Sequence, residues 1–94
     1  MYNPTMLIEF DRAKDERNIA MRGLSFARAA EFDFETAAYL IDDRKSYGET
    51  RYIAVGVLDS RLHVLCFTLI AGGIRVISFR KANVREARRY GNNS

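Results

Sequence analysis

Three strand-like segments separated by very short turns occupy much of the second half of the sequence. Residues 51–58, 62–70 and 74–79 are rich in β-branched and apolar side chains, as strands of a sheet are. Asp59-Ser60 predicts the first turn, although it lacks the glycine that hairpin turns favour, and Gly72-Gly73 predicts the second, because glycine tolerates positive φ. Strands joined by turns this short must run antiparallel, so the sequence predicts an antiparallel meander.

The first part of the chain predicts a strand followed by two helices. Residues 6–10 are short and mostly apolar, which suits a strand. Asp11 can accept a hydrogen bond from the first free amides of a helix that continues to residue 21, and Gly23 can end it in the left-handed conformation. Ser25 caps a second helix of about two turns, which ends near residue 32.

A further strand and a further helix flank the meander. Residues 36–41 form the strand, and Asn83 caps a helix from Val84 to about Tyr90, with Glu86 at the capping-box position. The order of elements is then β-α-α-β-β-β-β-α. We therefore predict an α+β fold, largely an antiparallel β-sheet with helices packed on one face. No repeat or linker interrupts the sequence, so residues 1–94 are expected to form one domain.

Composition excludes several classes of protein. The chain is 48% hydrophobic and 29% charged, with no apolar run long enough to cross a membrane and no secretory signal pattern at its start. Cys66 is the single cysteine, which rules out an internal disulfide and a multi-cysteine zinc site, and we expect it to be a core residue in a reduced cytoplasm. No phosphate-binding glycine loop or metal-ligand spacing is present, so we expect no metal and no cofactor.

Charge is distributed unevenly along the chain. Residues 1–71 carry nine Lys/Arg and eleven Asp/Glu, a net charge of −2, whereas residues 72–94 carry six Lys/Arg and one Glu, a net charge of +5. Clustered arginine favours a polyanionic partner, because it releases condensed counterions from a phosphate backbone. The alternative is a solvated, basic helix end.

Arginines at strand positions are candidates for binding a phosphate. Strict alternation along residues 74–81 places Arg75 and Arg80 on opposite faces, with Arg80 at the strand end, where a bulge could expose it. Arg51 lies at the entrance of another strand. Convergence of the three guanidinium groups would form a phosphate clamp. The alternative is that they only keep the sheet edges soluble.

If the bound phosphate belonged to RNA, cleavage of the RNA without a metal ion would also need groups that move protons. Arginine stays protonated at neutral pH, since its pKa is above about 12, and is a poor base, so the candidates for proton transfer are Glu49, Tyr90, Lys81 or a neighbouring nucleotide. Glu49 can instead be a salt-bridge partner of Arg51. His63, the single histidine, is a further candidate, because histidine can act as an acid or a base near neutral pH. A histidine beside apolar residues, however, is more often structural than catalytic.

The motifs, taken in order, resemble the BrnT family of toxins from bacterial type II toxin–antitoxin systems. The matching segments span nearly the entire chain: Glu9-Phe10-Asp11 with Lys14 and Asn18; Gly23-Leu24-Ser25-Phe26 with Ala29; Asp43-Arg44; Tyr47-Gly48-Glu49 with Arg51, Ile53, Ala54 and Gly56; Ile74-Arg75-Val76-Ile77-Ser78; and Arg80-Lys81-Ala82 with Glu86 and Tyr90. The chain has Met21-Arg22-Gly23 where the family usually has Lys-His-Gly, and Phe79 where it usually has a small residue. The second difference is expected to alter packing or the approach of substrate.

The resemblance implies a RelE-like ribonuclease that cleaves RNA and stops translation. It also implies a co-encoded BrnA-like antitoxin with a ribbon-helix-helix domain, and a possible homodimer within the complex. The predicted catalytic residues are Arg51, Arg75, Arg80, Lys81, Glu49 and Tyr90, and the predicted RNA-binding residues are Arg44, Arg85, Arg88 and Arg89. The alternative is a noncatalytic module, a decayed toxin that binds RNA or an antitoxin.

Overall fold

The order of helices and strands along the chain is the predicted one. The structure, a computed structural model, describes residues 6–44, 46 and 48–91. Within them the elements are β1 (Leu7–Glu9), α1 (Arg12–Arg22), a 3₁₀ helix (Phe26–Glu31), β2 (Ala38–Asp42), β3 (Arg51–Leu58), β4 (Arg61–Ile70), β5 (Gly73–Lys81) and α2 (Val84–Tyr90). None of the described helices is long and apolar enough to span a membrane. The combination of these helices with the strands confirms the predicted α+β class.

The five strands form one mixed sheet in the order β1-β5-β4-β3-β2. Strands β2 to β5 make the predicted antiparallel meander. Strand β1 pairs in parallel with β5, so that Leu7 lies opposite Gly73 and Glu9 lies opposite Arg75. Parallel strands need a long connection between them, and here the rest of the chain provides it.

Helix ends follow the capping residues of the sequence. The Asp11 side chain accepts a hydrogen bond from the amide of Lys14, and Gly23 ends α1 with φ 68°. The capping box of α2 is present in both directions. The second predicted helix is a 3₁₀ helix rather than an α-helix. Its apolar residues Phe26, Ala29 and Phe32 recur every third position, which matches three residues per turn.

One turn of the meander is as predicted and the other is shifted by one residue. Asp59 and Ser60 both have positive φ, 52° and 62°, as a mirror-image hairpin turn requires, although neither is glycine. The second turn contains residues 71 and 72, because Ile70 pairs with Gly73. Gly73 is instead needed at the start of β5, where a Cβ atom would overlap the backbone of the neighbouring strand β1.

A β-bulge interrupts the alternation of side chains along β5. Cys66 pairs with Ser78 and the next residue of β4, Phe67, pairs with Val76, which leaves Ile77 as an extra residue in β5. Ile77 therefore shifts the phase of the strand, and every side chain after it lies on the face opposite to the one that strict alternation predicts.

The shift places both arginines of β5 on one face of the sheet. Val76 and Phe79 are both buried in the hydrophobic core, on the face that the 3₁₀ helix covers. Arg75 and Arg80 lie on the opposite face, because they pair with Thr68 and Val64 of β4, whose side chains share that face. The expectation that arginine would appear on both faces is therefore wrong.

The helices contact both faces of the sheet. The core between the sheet and the 3₁₀ helix contains Leu24, Phe26, Ala29, Phe32, Ala54, Leu58, Leu65, Phe67, Ile74, Val76 and Phe79. Helix α2 instead lines a cavity together with Val64 and Arg80, on the face away from this core. The prediction that the helices pack on one face is therefore wrong for α2, whose seven residues include none that is buried.

Asn18 connects α1 to the sheet. Its Nδ2 group donates hydrogen bonds to the carbonyl oxygens of Leu24 and Phe79, both at 2.9 Å. We expect Asn18→Ala to lower the free energy of unfolding by about 1–3 kcal/mol, because it leaves two part-buried carbonyl groups without their donor. Urea denaturation measures this, with Arg17→Ala on the exposed side of α1 as a control that changes it by less than about 0.5 kcal/mol. Equal stability of the Asn18 and Arg17 variants would contradict this role.

Candidate functional site

A cavity between α2 and the open face of the sheet brings together many of the predicted residues. We call it the α2 cavity, and its volume is about 420 Å³. It is lined by Leu40, Arg44, Ile53, Val55, Val64, Cys66, Ser78, Arg80, Arg85, Glu86, Arg89 and Tyr90. The strand register places Leu40, Ile53, Cys66 and Ser78 side by side across the floor. The floor is therefore rigid and largely apolar, and the charged side chains surround it.

Positive charge dominates the walls of the α2 cavity. Four arginines and one glutamate line it. Arg85 and Arg89 lie four residues apart, so they share one side of α2, and neither forms an ion pair with a carboxylate of the described residues. Arg44 is held by Asp42 with Nε to Oδ1 at 2.7 Å, although its side chain is 76% exposed. The cavity can therefore attract and bind an anion.

Arg80 is fixed at the edge of this cavity by Glu86. The two guanidinium nitrogens donate to the two carboxylate oxygens at 2.8 and 2.9 Å. This hydrogen bonding lowers the pKa of Glu86 to about 2 and raises the pKa of Arg80. Glu86 also accepts from the amide of Asn83 at 2.9 Å. At neutral pH Glu86 is therefore an ionised, weakly basic carboxylate that orients Arg80.

The sequence identified Glu86 as a capping residue and missed its contact with Arg80. The two residues are six positions apart, across the connection between β5 and α2. The direction of that connection decides whether they meet, and no local pattern specifies it. The capping box was the one available signal, because it fixes the Glu86 side chain at the first turn of the helix.

Arg51 and Arg75 lie on the same face as Arg80 but do not line the α2 cavity. Arg75 pairs with Thr68, and the register of β3 with β4 places Arg51 on the other side of Thr68. Thr68 is four residues along β4 from Val64, the partner of Arg80, a separation of about 13 Å. The three arginines therefore form two groups on one face and do not converge on one phosphate.

Arg51 and Arg75 each form an ion pair with a glutamate. Glu49 lies 3.5 Å from Arg51 Nε, and Glu9 accepts from Arg75 at 2.8 Å. The interpretation of Glu49 as a salt-bridge partner of Arg51 is therefore confirmed. Glu49 lies outside the α2 cavity, and Tyr47, which belongs to the same motif, lies outside the described residues.

Lys81 lies in a second cavity on the other face of the sheet. We call it the His63 cavity; it has a volume of about 580 Å³ and is lined by Arg22, Gly23, Leu24, Arg28, Asp59, Arg61, His63 and Lys81. Arg88, in contrast, is exposed on α2 and lines neither cavity. The structure thus brings Arg44, Arg80, Arg85, Arg89 and Tyr90 together, and separates them from Lys81, Arg88, Arg51, Arg75 and Glu49.

Neither His63 nor Cys66 is prepared for nucleophilic chemistry. His63 is only 4% exposed, and its ring lies 5.7 Å from that of Phe79. Its Nδ1 lies 2.8 Å from the carbonyl oxygen of Arg61 and donates to it in the neutral tautomer. Burial raises the pKa of the Cys66 thiol, which opposes formation of the thiolate. Cys66 is buried as expected, but it faces the α2 cavity rather than the main core.

Burial of His63 predicts a loss of stability in mild acid. Burial lowers the pKa of this imidazole below 6.5, so the unfolded chain binds a proton more readily than the folded chain. The free energy of unfolding should then be highest above about pH 6.5 and decrease as the pH falls from there towards the lowered pKa of the folded chain. Urea denaturation between pH 7.5 and 5.5 measures this. His63→Asn, which keeps a donor near Arg61, should lose the decrease, and an equal decrease in the variant would contradict the assignment.

Comparison with known protein families identifies a match over most of the chain. The model of the family described as "Ribonuclease toxin, BrnT, of type II toxin-antitoxin system" matches residues 10–86. No curated protein matches the chain in sequence. Among the described residues, no group of three or more His, Cys, Asp or Glu side chains is placed to hold a metal ion. The family match covers most of the chain, including every strand of the sheet except β1, and most of the residues that line the α2 cavity.

Proposed function

Because the chain belongs to the BrnT family of ribonuclease toxins of type II toxin–antitoxin systems, we propose that it binds RNA in the α2 cavity and cleaves it there without a metal ion. The cluster of four arginines around that cavity carries the proposal. Arg85 and Arg89 supply positive charge that no carboxylate of the described residues pairs with, and the Arg89 guanidinium lies over the ring of Tyr90, 5.7 Å from its centroid. Two further predicted residues on the same face of the sheet, Arg51 and Arg75, would contact phosphates further along the strand of RNA.

The arginines provide the charge that the cleavage reaction requires. In this reaction the RNA 2′-oxygen forms a bond to the adjacent phosphorus, and the bond from that phosphorus to the 5′-oxygen breaks. Negative charge accumulates on the phosphate in the transition state, and Arg80 stabilises it with its charge and with the N–H groups that it does not donate to Glu86. The products are a 2′,3′-cyclic phosphate and a 5′-hydroxyl.

We assign the groups that transfer protons from the positions of the candidate side chains relative to the α2 cavity. Of the three candidate side chains named from the sequence, Tyr90 lines the α2 cavity, whereas Glu49 and Lys81 do not. Tyr90 therefore donates the proton that the 5′-oxygen receives. A neighbouring nucleotide, the remaining candidate, accepts the proton of the 2′-hydroxyl. Glu86 does not take this role, because its pKa of about 2 leaves it too weak a base and its oxygens are occupied by Arg80.

Metal independence can be tested directly. We expect the purified chain to cleave single-stranded RNA in excess EDTA and to leave 2′,3′-cyclic phosphate ends, because guanidinium groups supply the stabilising charge. RNA with a 2′-O-methyl group at the cleavage position should remain intact. Cleavage that stops in EDTA and returns with Mg²⁺ would contradict this mechanism. RNA binding that weakens with salt but never leads to cleavage would favour the alternative, a noncatalytic RNA- or antitoxin-binding module.

Membership of the family implies a cognate antitoxin and an RNA target. We propose further that the antitoxin is a BrnA-like ribbon-helix-helix protein that covers the α2 cavity, that cleavage inhibits translation in the cytoplasm, that the fold is RelE-like, and that two copies of the chain can pair within the complex. If the antitoxin covers the cavity, the purified complex should not cleave RNA and should stay together at salt concentrations that release RNA. A complex that still cleaves RNA would place the antitoxin elsewhere.

A further inference from the structure

The His63 cavity, defined above, is also surrounded by positive charge. Arg22, at the end of α1, Arg61, at the start of β4, and Lys81, at the end of β5, converge on it from three elements. None of the three forms an ion pair with a carboxylate among residues 6–44, 46 and 48–91. The cavity therefore has three cationic side chains that no carboxylate of the described residues pairs with directly.

The one acidic residue of this cavity is already occupied. Both carboxylate oxygens of Asp59 accept hydrogen bonds from Arg28, at 2.7 and 2.8 Å, and Arg28 also donates to Glu31. This hydrogen bonding lowers the pKa of Asp59, so the carboxylate stays ionised and paired. Arg28, Asp59 and Glu31 thus form a fixed group with a net charge of −1, and together with Arg22, Arg61 and Lys81 they leave a net charge of +2 for a ligand.

We propose that the His63 cavity is a second site that binds a phosphate ester, separate from the α2 cavity. Three converging cations match the charge and the several acceptor oxygens of a phosphate group. The buried side of the cavity is formed by His63, which the Arg61 carbonyl oxygen holds in place. A phosphate of an RNA chain and a free nucleotide present the same chemistry to these residues.

The position of the cavity favours RNA as the source of the phosphate, an assignment that rests on the proposed function. Arg80 and Lys81 are consecutive residues at the end of β5, and their side chains lie on opposite faces of the sheet. The two cavities therefore lie on either side of the same end of the sheet. An RNA chain bound in the α2 cavity can place a later phosphate in the His63 cavity by passing round that end.

Inorganic phosphate is the first probe, and the single histidine is the reporter. We expect phosphate to shift the ¹H NMR signals of His63 saturably at constant pH and ionic strength. The double substitution Arg61→Gln/Lys81→Gln should weaken this binding at least tenfold, because it removes two of the three cations. The matched control is Arg12→Gln/Arg17→Gln, which removes two exposed charges of α1 that do not line the cavity. It should leave phosphate binding unchanged.

Competition then identifies the source of the phosphate. If RNA is the ligand, a 2′-O-methylated oligonucleotide displaces inorganic phosphate, and Arg61→Gln/Lys81→Gln reduces the slope of log K against log salt by about 1.4, the value for two lost contacts to a single strand. If a nucleoside monophosphate displaces phosphate and the RNA slope does not change, the site binds free nucleotides. Either result supports a phosphate site.

The site is overturned if the parent chain shows no saturable shift, or if the cavity variant and the α1 control bind phosphate equally well. Failure of the proposed function has a different signature. In that case His63 still responds to phosphate, the response persists in Arg80→Ala, and the parent chain does not cleave RNA.

Discussion

Arg80→Ala is expected to reduce the rate of RNA cleavage by about 10² to 10³, as the loss of one well-placed transition-state donor does in other enzymes. The orientation of Arg80 at the edge of the α2 cavity is fixed, since Glu86 holds both of its terminal nitrogens. Arg85 and Arg89 can still attract RNA in the variant. The rate of the chemical step should therefore decrease more than RNA binding does, which single-turnover kinetics distinguishes.

The matched control for Arg80→Ala is Arg12→Ala, which removes an exposed arginine of α1 outside both cavities. It should cleave RNA at the parental rate. Arg80→Lys should fall between the two, because lysine keeps the charge but not the planar pair of donors. All variants must unfold at similar urea concentrations for the comparison to hold. Equal rates for Arg80→Ala and Arg12→Ala would remove Arg80 from the site.

Phe79→Ala is expected to lower the free energy of unfolding by about 3–5 kcal/mol, the usual cost of truncating a core phenylalanine. Phe79 is fully buried, and its ring packs edge-on against Phe32 and beside His63. The free energy of unfolding of an ordinary domain is about 5–15 kcal/mol, so this substitution would remove a large part of it. Urea denaturation measures the change, and Phe79→Leu should cost less because it leaves a smaller cavity.

This prediction separates two interpretations of Phe79. From the sequence, an aromatic residue at this position was expected to alter either packing or the approach of substrate. The structure places it in the core, on the face away from the α2 cavity, so packing is the relevant effect. A Phe79→Ala variant that unfolds like the parent but binds RNA differently would contradict this placement.

Local sequence chemistry predicted most of the fold. Cap residues such as Asp11 and Asn83 bind backbone amides three residues away, and Gly23 needs only its own φ, so short patterns suffice to locate helix ends. The runs of β-branched and apolar residues in β3 and β4 likewise mark strands directly. These features depend on neighbours in sequence, which is why they could be recognised without coordinates.

Features that depend on distant residues could not be predicted in this way. The bulge at Ile77 exists because the register with β4 changes at Cys66, and it decides which face Phe79 and Arg80 occupy. The packing of α2 on the second face is another such feature. The bulge and the packing of α2 together decide which side chains line the α2 cavity. The sequence therefore predicted the arginines and Tyr90 as a set but could not say which of them share a cavity.

The central claim is that the RNA bond to be cleaved lies in the α2 cavity, and photo-crosslinking tests it most directly. The RNA carries 4-thiouridine beside the cleavage position and a 2′-O-methyl group that prevents cleavage, and the crosslinked peptide is identified by mass spectrometry. We predict crosslinks to the floor and wall of the α2 cavity, in β4 near Cys66 or in α2 near Tyr90. Crosslinks at the cleavage position to α1 or to the residues around His63 would contradict the account.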